Sequence, residues 1–237
     1  MNVAIIAAAG RGARMGGGRA KQFLELAGVP VIIHTLKRFE QCAEVQEVVV
    51  VLPRQEAAAF LALAGAHGLR KVARVVPGGE TRAESVWRGL RAVRAATAQV
   101  VAVHDGVRPF VTPAEITETI KAAERHGAAV LAAPAVDTIK EVKEGLVVRT
   151  VPRADLRRAL TPQCFRYQIL RRAYEQAAGL GQDVTDDSAL VERLGQAVAV
   201  VEGHPRNIKI TRPEDIALAE ILLRQFEESE KKVSGER

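Results

Sequence analysis

The sequence of 237 residues contains only two cysteines, Cys42 and Cys164, which stand far apart with no C-x-x-C spacing. This excludes a disulfide framework and a zinc site of the usual ligand spacing, so we expect two buried thiols. No apolar run is long enough to span a membrane, and the first residues lack the basic and apolar regions of a secretory signal. We therefore expect a soluble, cytoplasmic protein without a membrane partner.

Aromatic residues are also scarce, at 4% of the chain, and no basic cluster carries interleaved aromatics for stacking on bases. The formal net charge of +6 favours an anionic ligand, but charge alone does not distinguish a nucleotide from a nucleic acid. The lack of aromatics argues against a single-stranded nucleic acid as partner. The length fits one domain, residues 1–237, with a sizeable core.

Short apolar runs alternate with amphipathic segments, which predicts an α/β fold with a mostly parallel sheet and helices on both faces. The predicted strands are residues 3–8, 45–53, 71–77, 99–105, 128–134 and 198–203. Residues 136–153 alternate apolar and polar side chains around Glu144 and Gly145, which indicates a protruding β-hairpin arm. Such an arm buries little by itself, so we expect it to pack on the parent domain or on a second subunit.

The later segments are predicted from turn and capping signals. We expect a turn at residues 160–165, a helix over 166–178, and a helix that begins at Thr185 as N-cap. Thr211, Pro213 and Glu214 are expected to cap the last helix. The charged residues 227–237 are expected to form a frayed, flexible tail.

Residues 7–22, AAAGRGARMGGGRAKQ, follow the first predicted strand and combine glycines with four cations. Glycines let backbone N–H groups approach a phosphate, and Arg or Lys adds charge-assisted bonds, so the stretch suits a polyphosphate. Met15 stands where a dinucleotide fingerprint needs its third glycine, and no Lys-Ser or Lys-Thr pair completes a Walker loop. An ordinary surface loop of a basic protein is the alternative.

Two further strand ends carry polar residues. The turn GGETRAESV at 78–86 repeats paired glycines before a helix, with Thr81 or Ser85 available to hydrogen-bond. Asp105 ends the strand at 99–105, where a carboxylate beside phosphate loops is placed to hold Mg²⁺. The alternatives are an ordinary capped connection for the turn and a turn-forming role for Asp105 before glycine. His104 has no nucleophile nearby in the sequence and is expected to be structural.

Together these segments resemble the 2-C-methyl-D-erythritol 4-phosphate cytidylyltransferase family of the non-mevalonate isoprenoid pathway. The resemblance runs in order from about residue 2 to residue 224. It rests on AAAGRGARMGGGRAKQ, GGETRAESV, VHDGVRPF, APAVDTIK with TVPR, LTPQCF, VTDDSALVE and EGHPRNIKITRPEDIALAE. It implies a Rossmann-like nucleotidyltransferase fold and a homodimer interlocked through the arm at 136–153.

The resemblance also implies roles for single residues. Arg14 and Lys21 would clamp the CTP triphosphate, and Asp105 would sit beside Mg²⁺ or another divalent cation. The cytosine and ribose pocket would be lined by Ala8, Ala9, Gly10, Gly79, Glu80 and Ser85. Methylerythritol phosphate would be contacted by Arg108, Thr161, Thr185 and Lys209, with Thr138 and Arg153 reaching in from the partner's arm.

The implied reaction is an in-line attack of the acceptor phosphate on the α-phosphorus of CTP, catalysed by Arg14, Lys21, Asp105 and Lys209. The acceptor oxygen is already anionic, so the reaction needs no general base. A ribitol-5-phosphate cytidylyltransferase shares this fold and is the alternative within the class. A non-catalytic nucleotide-binding protein is a remote alternative, and a nucleic-acid-binding module is another.

Overall fold

The computed structural model describes residues 1–10, 20–177 and 186–234. Its strands are β1 (Val3–Ala7), β2 (Glu25–Leu26), β3 (Val29–Pro30), β4 (Glu47–Leu52), β5 (Val72–Pro77), β6 (Val100–Asp105), β7 (Ala128–Pro134), β8 (Ile139–Lys143), β9 (Leu146–Val151), β10 (Arg157–Arg166) and β11 (Ala199–Glu202). Its helices are α1 (Val31–Gln41), α2 (Ala57–Ala66), α3 (Arg82–Ala92), α4 (Pro113–His126), α5 (Tyr167–Ala177), α6 (Asp187–Glu192) and α7 (Glu214–Ser234).

The described residues form a central sheet of seven strands in the order β11-β7-β10-β6-β1-β4-β5. All neighbouring pairs are parallel except those of β10, which runs antiparallel to both β6 and β7. The predicted mostly parallel α/β sheet is therefore confirmed. Because β1 lies between β4 and β6, the carboxyl ends of these strands meet at one edge, where ligands of such sheets bind.

Both faces of the sheet are covered, because its strands are apolar on both sides. Val3 and Ile5 of β1 face the core formed with α3, α5 and α6. Ala4 and Ile6 face the opposite core, formed with α1, α2 and α4. This alternation buries β1 almost completely and explains why its sequence is a continuous apolar run.

A third apolar cluster lies under the edge of the sheet where the strands end. Phe110 and Ile210 pack there with Phe226 of α7. The backbone N–H of Ile210 donates to the carbonyl oxygen of Val107 at 3.0 Å. This packing fixes residues 207–210, a segment without regular secondary structure, against the end of β6.

The hairpin of β8 and β9 is separate from the main sheet. Its two strands pair with each other around Glu144 and Gly145, as predicted. Apolar side chains along the arm are solvent-exposed in the single chain, with exposed fractions from 38% at Ile139 to 74% at Leu146.

Two local predictions were wrong. Residues 160–165 were expected to form a turn, but they belong to β10, whose pairing with β7 is irregular between Ala159 and Gln163. A bulge accommodates proline in a strand, so Pro162 does not end β10. The N-cap of α6 is Asp186 rather than Thr185, since the Asp186 carboxylate accepts the backbone N–H of Ala189.

Asp215, a residue that the sequence analysis did not name, holds the segment that leads into the last helix. The Asp215 carboxylate accepts the backbone N–H groups of Thr211 and Arg212 at 2.7 and 2.8 Å. Helix α7 continues to Ser234 and so includes most of residues 227–237, which were expected to form a flexible tail. Fraying of this segment in solution stays a prediction. No helix in the described ranges combines the length and the hydrophobicity needed to cross a membrane.

Replacement of Gly89 by alanine is expected to destabilise the fold, because α3 lies directly on the sheet there. A Cβ at Gly89 would lie 2.8 Å from Ile5 Cγ2 and 2.9 Å from Val51 Cγ2. We expect Gly89→Ala to lower the free energy of unfolding by about 1–3 kcal/mol in urea denaturation. Gly65 of α2 has open space around it, so Gly65→Ala is the matched control and should stabilise by up to about 1 kcal/mol. Equal effects of the two substitutions would contradict the close packing of α3.

Candidate active site

A cavity of about 520 Å³ opens at the edge where β1, β4, β5 and β6 end. This volume is within the range of ligand-binding pockets. The cavity brings together most of the residues that the family resemblance assigned to the nucleotide, together with Lys209, which it assigned to the acceptor and to catalysis. Those that line it are Ala8, Ala9, Gly10, Lys21, Gly79, Glu80, Ser85, Asp105 and Lys209.

The turn after β5 forms one wall and is held by side chains of the helix that follows. The Ser85 hydroxyl donates to the carbonyl oxygen of Thr81 at 2.9 Å and accepts the N–H of Gly79 at 3.0 Å. The Glu84 carboxylate accepts the N–H of Glu80 at 2.8 Å. Two amides of this turn are therefore already bonded within the protein, and Ser85 is placed to shape the wall.

The opposite wall is the end of β1, which passes very close to this turn. A Cβ at Gly78 would lie 2.1 Å from the Cβ of Ala9. Only glycine permits this approach, because any side chain would collide with Ala9. Gly78 therefore lets the turn after β5 pack closely against the end of β1.

Asp105 lies at the bottom of the cavity, with its side chain 8% exposed, and contacts three cations. Its Oδ1 accepts from Arg82 Nε at 3.2 Å, and its Oδ2 accepts from Arg108 Nε at 3.3 Å and Lys209 Nζ at 2.9 Å. Burial alone would raise the pKa of this carboxyl, but the attraction of Arg82, Lys209 and Arg108 outweighs it. The pKa is therefore held well below its usual range, and Asp105 is ionised.

Two of these cations are positioned by the segment that precedes α7. Arg108 Nη1 donates to the carbonyl oxygen of Asn207 at 2.8 Å, and the Asn207 amide donates to the carbonyl oxygen of Thr161 at 2.9 Å. Lys209 follows two residues later, and its side chain is 37% exposed. The packing of residues 207–210 therefore places Lys209 at the mouth of the cavity, where it can meet an anion.

His104 precedes Asp105 but points into the protein. Its Nδ1 lies 2.9 Å from Thr161 Oγ1, and its Nε2 lies 3.1 Å from the carbonyl oxygen of Arg108. The Arg108 carbonyl can only accept, so the neutral ring carries its proton on Nε2, and Nδ1 accepts from the Thr161 hydroxyl. Thr161 Oγ1 also accepts the backbone N–H of Asp105 at 3.2 Å. Burial lowers the pKa of His104 to about 4, which makes it a neutral structural residue as predicted.

Several predicted site residues do not line this cavity. Arg108 lies beside Asp105 with its side chain 12% exposed, and Thr161 is buried behind it. Thr138 and Arg153 lie on the exposed arm, where the Arg153 guanidinium donates to the carbonyl oxygen of Val136. Arg14 and Thr185 fall outside the described residues.

Sequence reasoning missed Arg82, which lines the cavity and pairs with both Asp105 and Asp187. Asp187 is completely buried. A buried aspartate stays charged only beside a cation, but the sequence does not show that Asp187 is buried. No local pattern identifies Arg82 as its partner.

The described residues contain no group of three or more His, Cys, Asp or Glu side chains that could together hold a metal ion. The cavity nevertheless fits a phosphate-bound divalent cation, because Mg²⁺ is commonly held by one or two carboxylates together with substrate phosphates. Asp105 is ionised at the bottom of the cavity and provides such a carboxylate. A dedicated cage of protein ligands is not required.

The parallel sheet with a glycine-lined, cationic cavity at its carboxyl edge defines a nucleotidyltransferase type of α/β enzyme. The profile of the 2-C-methyl-D-erythritol 4-phosphate cytidylyltransferase family matches residues 2–225, and the chain belongs to this family. Curated relatives with that name include one from Pelotomaculum thermopropionicum, 46% identical over 93% of both chains. Another, from Symbiobacterium thermophilum, is 47% identical over 93% of this chain and 92% of its own.

Solved structures support the same assignment. A 4-diphosphocytidyl-2C-methyl-D-erythritol synthase from Anaerococcus prevotii superposes with a TM-score of 0.83 at 31% identity, covering 94% of this chain and 96% of its own. A 2-C-methyl-D-erythritol 4-phosphate cytidylyltransferase from Thermus thermophilus has a TM-score of 0.74 at 36% identity, covering 93% and 98%. The sequence-based resemblance and the Rossmann-like nucleotidyltransferase fold are thus confirmed.

The hydroxyl of Thr161 is expected to stabilise the end of β6. In Thr161→Val the backbone N–H of Asp105 and Nδ1 of His104 both lose their partner. We expect the free energy of unfolding to fall by about 1–3 kcal/mol, because both groups are buried. Thr161→Ser keeps the hydroxyl and should cost about 1 kcal/mol or less. Urea denaturation measures both, and equal stability of the valine variant and the wild type would contradict this role.

Proposed function

We propose that the protein transfers the CMP group of CTP to 2-C-methyl-D-erythritol 4-phosphate, in isoprenoid precursor biosynthesis in the cytoplasm. A phosphate oxygen of the acceptor forms a bond to the α-phosphorus, and the bond from that phosphorus to the β-phosphate bridging oxygen breaks. Pyrophosphate leaves, and 4-diphosphocytidyl-2-C-methyl-D-erythritol forms. The observation that carries this proposal is the single cavity that joins glycine-rich turns, Lys21, Asp105 and Lys209.

On the nucleotide side, Lys21 would neutralise the triphosphate together with Arg14, which lies outside the described residues. Cytosine and ribose would lie between the end of β1 and the turn after β5, against Ala8, Ala9, Gly10, Gly79, Glu80 and Ser85. The bonds from Ser85 and Glu84 hold this turn before any ligand arrives. Such preorganised contacts lower the barrier because no protein reorganisation accompanies the reaction.

On the acceptor side, Lys209 and Arg108 would bind the attacking phosphate. Lys209 is the more exposed of the two, and Asp105 keeps Arg82 as a counter-ion when Lys209 turns to the acceptor. Thr161 and Thr185 would complete this subsite. CTP and the phosphorylated acceptor repel each other because both are anions. Positive side chains on both sides of the cavity would offset this repulsion and hold the two substrates in position.

We further propose that Asp105 binds Mg²⁺ or another divalent cation together with the phosphates of CTP. Bound there, the metal would offset the negative charge of the reacting phosphates. The residues of the chain fit this role through one ionised carboxylate at the bottom of the cavity. Since Asp105 already accepts from three cations, at least one of these contacts would be exchanged when a metal binds.

The arm at 136–153 is proposed to form a homodimer. Six large apolar side chains on or near it are solvent-exposed in the single chain: Val136, Ile139, Val142, Leu146, Val147 and Val148. A two-stranded hairpin with this much exposed apolar surface needs a partner surface for stability. A second copy would bury these side chains and bring Thr138 and Arg153 to the partner's acceptor subsite.

The activity is tested by pyrophosphate release from CTP with magnesium, comparing 2-C-methyl-D-erythritol 4-phosphate with ribitol 5-phosphate. We expect turnover with the first acceptor and loss of turnover when EDTA removes the metal. Turnover with ribitol 5-phosphate and not with 2-C-methyl-D-erythritol 4-phosphate would show that the protein is a ribitol-5-phosphate cytidylyltransferase. No turnover with either acceptor would leave a nucleotide-binding protein without this activity.

In the same assay, Lys21→Ala and Lys209→Ala should each lower kcat on the order of a hundredfold or more. Both positions line the cavity rather than the core, so melting temperatures should stay near that of the wild type. Wild-type kcat in either variant would contradict the assignment of the site.

Sharing of the site between subunits is tested by mixing Arg153→Ala with Lys209→Ala chains. If Arg153 acts across the interface, a mixed dimer has one site with both residues intact and one site with neither. Such dimers should recover up to about half of the wild-type turnover, although both parents are nearly inactive. If Arg153 acts within its own chain, each site of a mixed dimer carries one lesion. Mixtures no more active than the average of the parents would therefore contradict sharing.

A further inference from the structure

Arg82 connects two carboxylates that lie on different parts of the chain. It is the first residue of α3, directly after the turn that forms a wall of the cavity. Its Nε donates to Asp105 Oδ1 at 3.2 Å, and its Nη1 donates to Asp187 Oδ2 at 2.8 Å. A guanidinium presents these donors in one rigid plane, so the two carboxylates are held in a fixed relation.

Asp187 is fixed by burial and by hydrogen bonds, so it can anchor Arg82. Its side chain is fully buried, and its second oxygen, Oδ1, accepts from the Tyr174 hydroxyl at 2.5 Å. Its backbone N–H donates to Gln163 Oε1 at 3.0 Å, and the Gln163 amide in turn donates to Asp186 at 2.7 Å. The Gln163 bonds fix the start of α6 relative to β10, and the Tyr174 bond fixes it relative to α5. Because these bonds restrict the Asp187 carboxylate, it has little freedom to change its position if Arg82 moves.

Arg82 therefore differs from the other two cations on Asp105. Exposure does not separate Arg82 from Lys209, whose side chains are 31% and 37% exposed, so the difference lies in the second partner. The second acceptor of Arg108 is a neutral carbonyl. Arg82 has a buried counter-ion of its own. Although its burial disfavours the charged form, Asp187 and Asp105 outweigh this and hold the pKa of Arg82 above its ordinary value. Of the three cations on Asp105, Arg82 is the one that is held by a second, buried carboxylate.

We propose that Arg82 is a positioning residue for the transfer reaction, anchored by Asp187, that keeps the Asp105 carboxylate oriented at the bottom of the cavity. The same bridge ties the first turn of α3, on the nucleotide side, to the start of α6. This role rests on the proposed cytidylyl transfer, because it concerns the geometry in which CTP and its acceptor meet. It requires no contact between Arg82 and substrate.

The proposal predicts that Arg82 and Asp187 act as one unit. We expect Arg82→Gln to lower kcat roughly 10–100-fold, which is the usual effect of losing a residue that orients a ligand-binding group. Asp187→Asn keeps Arg82 and its charge, yet it should lower kcat by a similar factor because the anchor is lost. The double variant should be no slower than the worse single variant, because the bridge is lost only once. KM for CTP should change less than kcat in all three.

Stability is measured beside activity, because a buried charge without its partner can unfold the chain. Arg82→Gln leaves the buried Asp187 without a cation, and Asp187→Asn leaves Arg82 with one carboxylate instead of two. The double variant removes both charges and should melt closer to the wild type. Arg82→Lys keeps a charge next to Asp187 but cannot donate to both carboxylates in the fixed geometry. Arg82→Lys should have the melting temperature of the wild type but a lower kcat. Arg91→Gln, an exposed arginine on the same helix, is the matched control.

The outcomes separate the possible roles of Arg82. Wild-type kcat in Asp187→Asn, or multiplicative loss in the double variant, would show that Arg82 acts independently of its anchor and would overturn the proposal. Full kcat in Arg82→Lys would show that charge alone is needed, which also overturns it. An inactive wild-type protein would overturn the proposed function itself. An active wild type with an unchanged Arg82→Gln variant would overturn only the role of Arg82.

Discussion

The buried carboxylate of Asp105 is the group on which the arrangement of the site depends. It ends a central strand with little solvent contact, where an ionised group is costly unless cations surround it. The three cations come from α3, from the turn after β6 and from the segment before α7. These segments are far apart in the sequence, so folding around one negative charge assembles the walls of the cavity.

The three contacts with Asp105 are not equivalent. Arg82 and Arg108 each have a second acceptor within the protein, whereas Lys209 stands at the mouth of the cavity and is the most exposed. Asp105 is buried, but it keeps Arg82 as a counter-ion when Lys209 turns to another anion, so the carboxylate is not left without a cation. The protein thus combines a fixed electrostatic centre with one adaptable cation, which suits a site that must receive two phosphorylated substrates.

Much of this arrangement could be predicted from the sequence. Apolar runs predict the parallel strands, paired glycines predict the turn after β5, and an aspartate at a strand end predicts the place of Asp105. The pairing of Arg82 with Asp187 could not be predicted, because it joins residues 105 positions apart and leaves no local pattern. Strand β10 was missed for a different reason: Thr161-Pro162 has the chemistry of a turn, and only an irregular pairing between neighbours retains it in a strand.

The electrostatics also limit which acceptors this cavity can activate. His104 is neutral and sealed behind Thr161, and the pKa of Asp105 is held so low that it is a very weak base. Neither residue can remove a proton from a hydroxyl. A phosphate monoester brings its own ionised oxygen, since its second pKa is near 6. The described side chains can therefore orient and stabilise a phosphate nucleophile, and the ability of the acceptor to react comes from the acceptor itself.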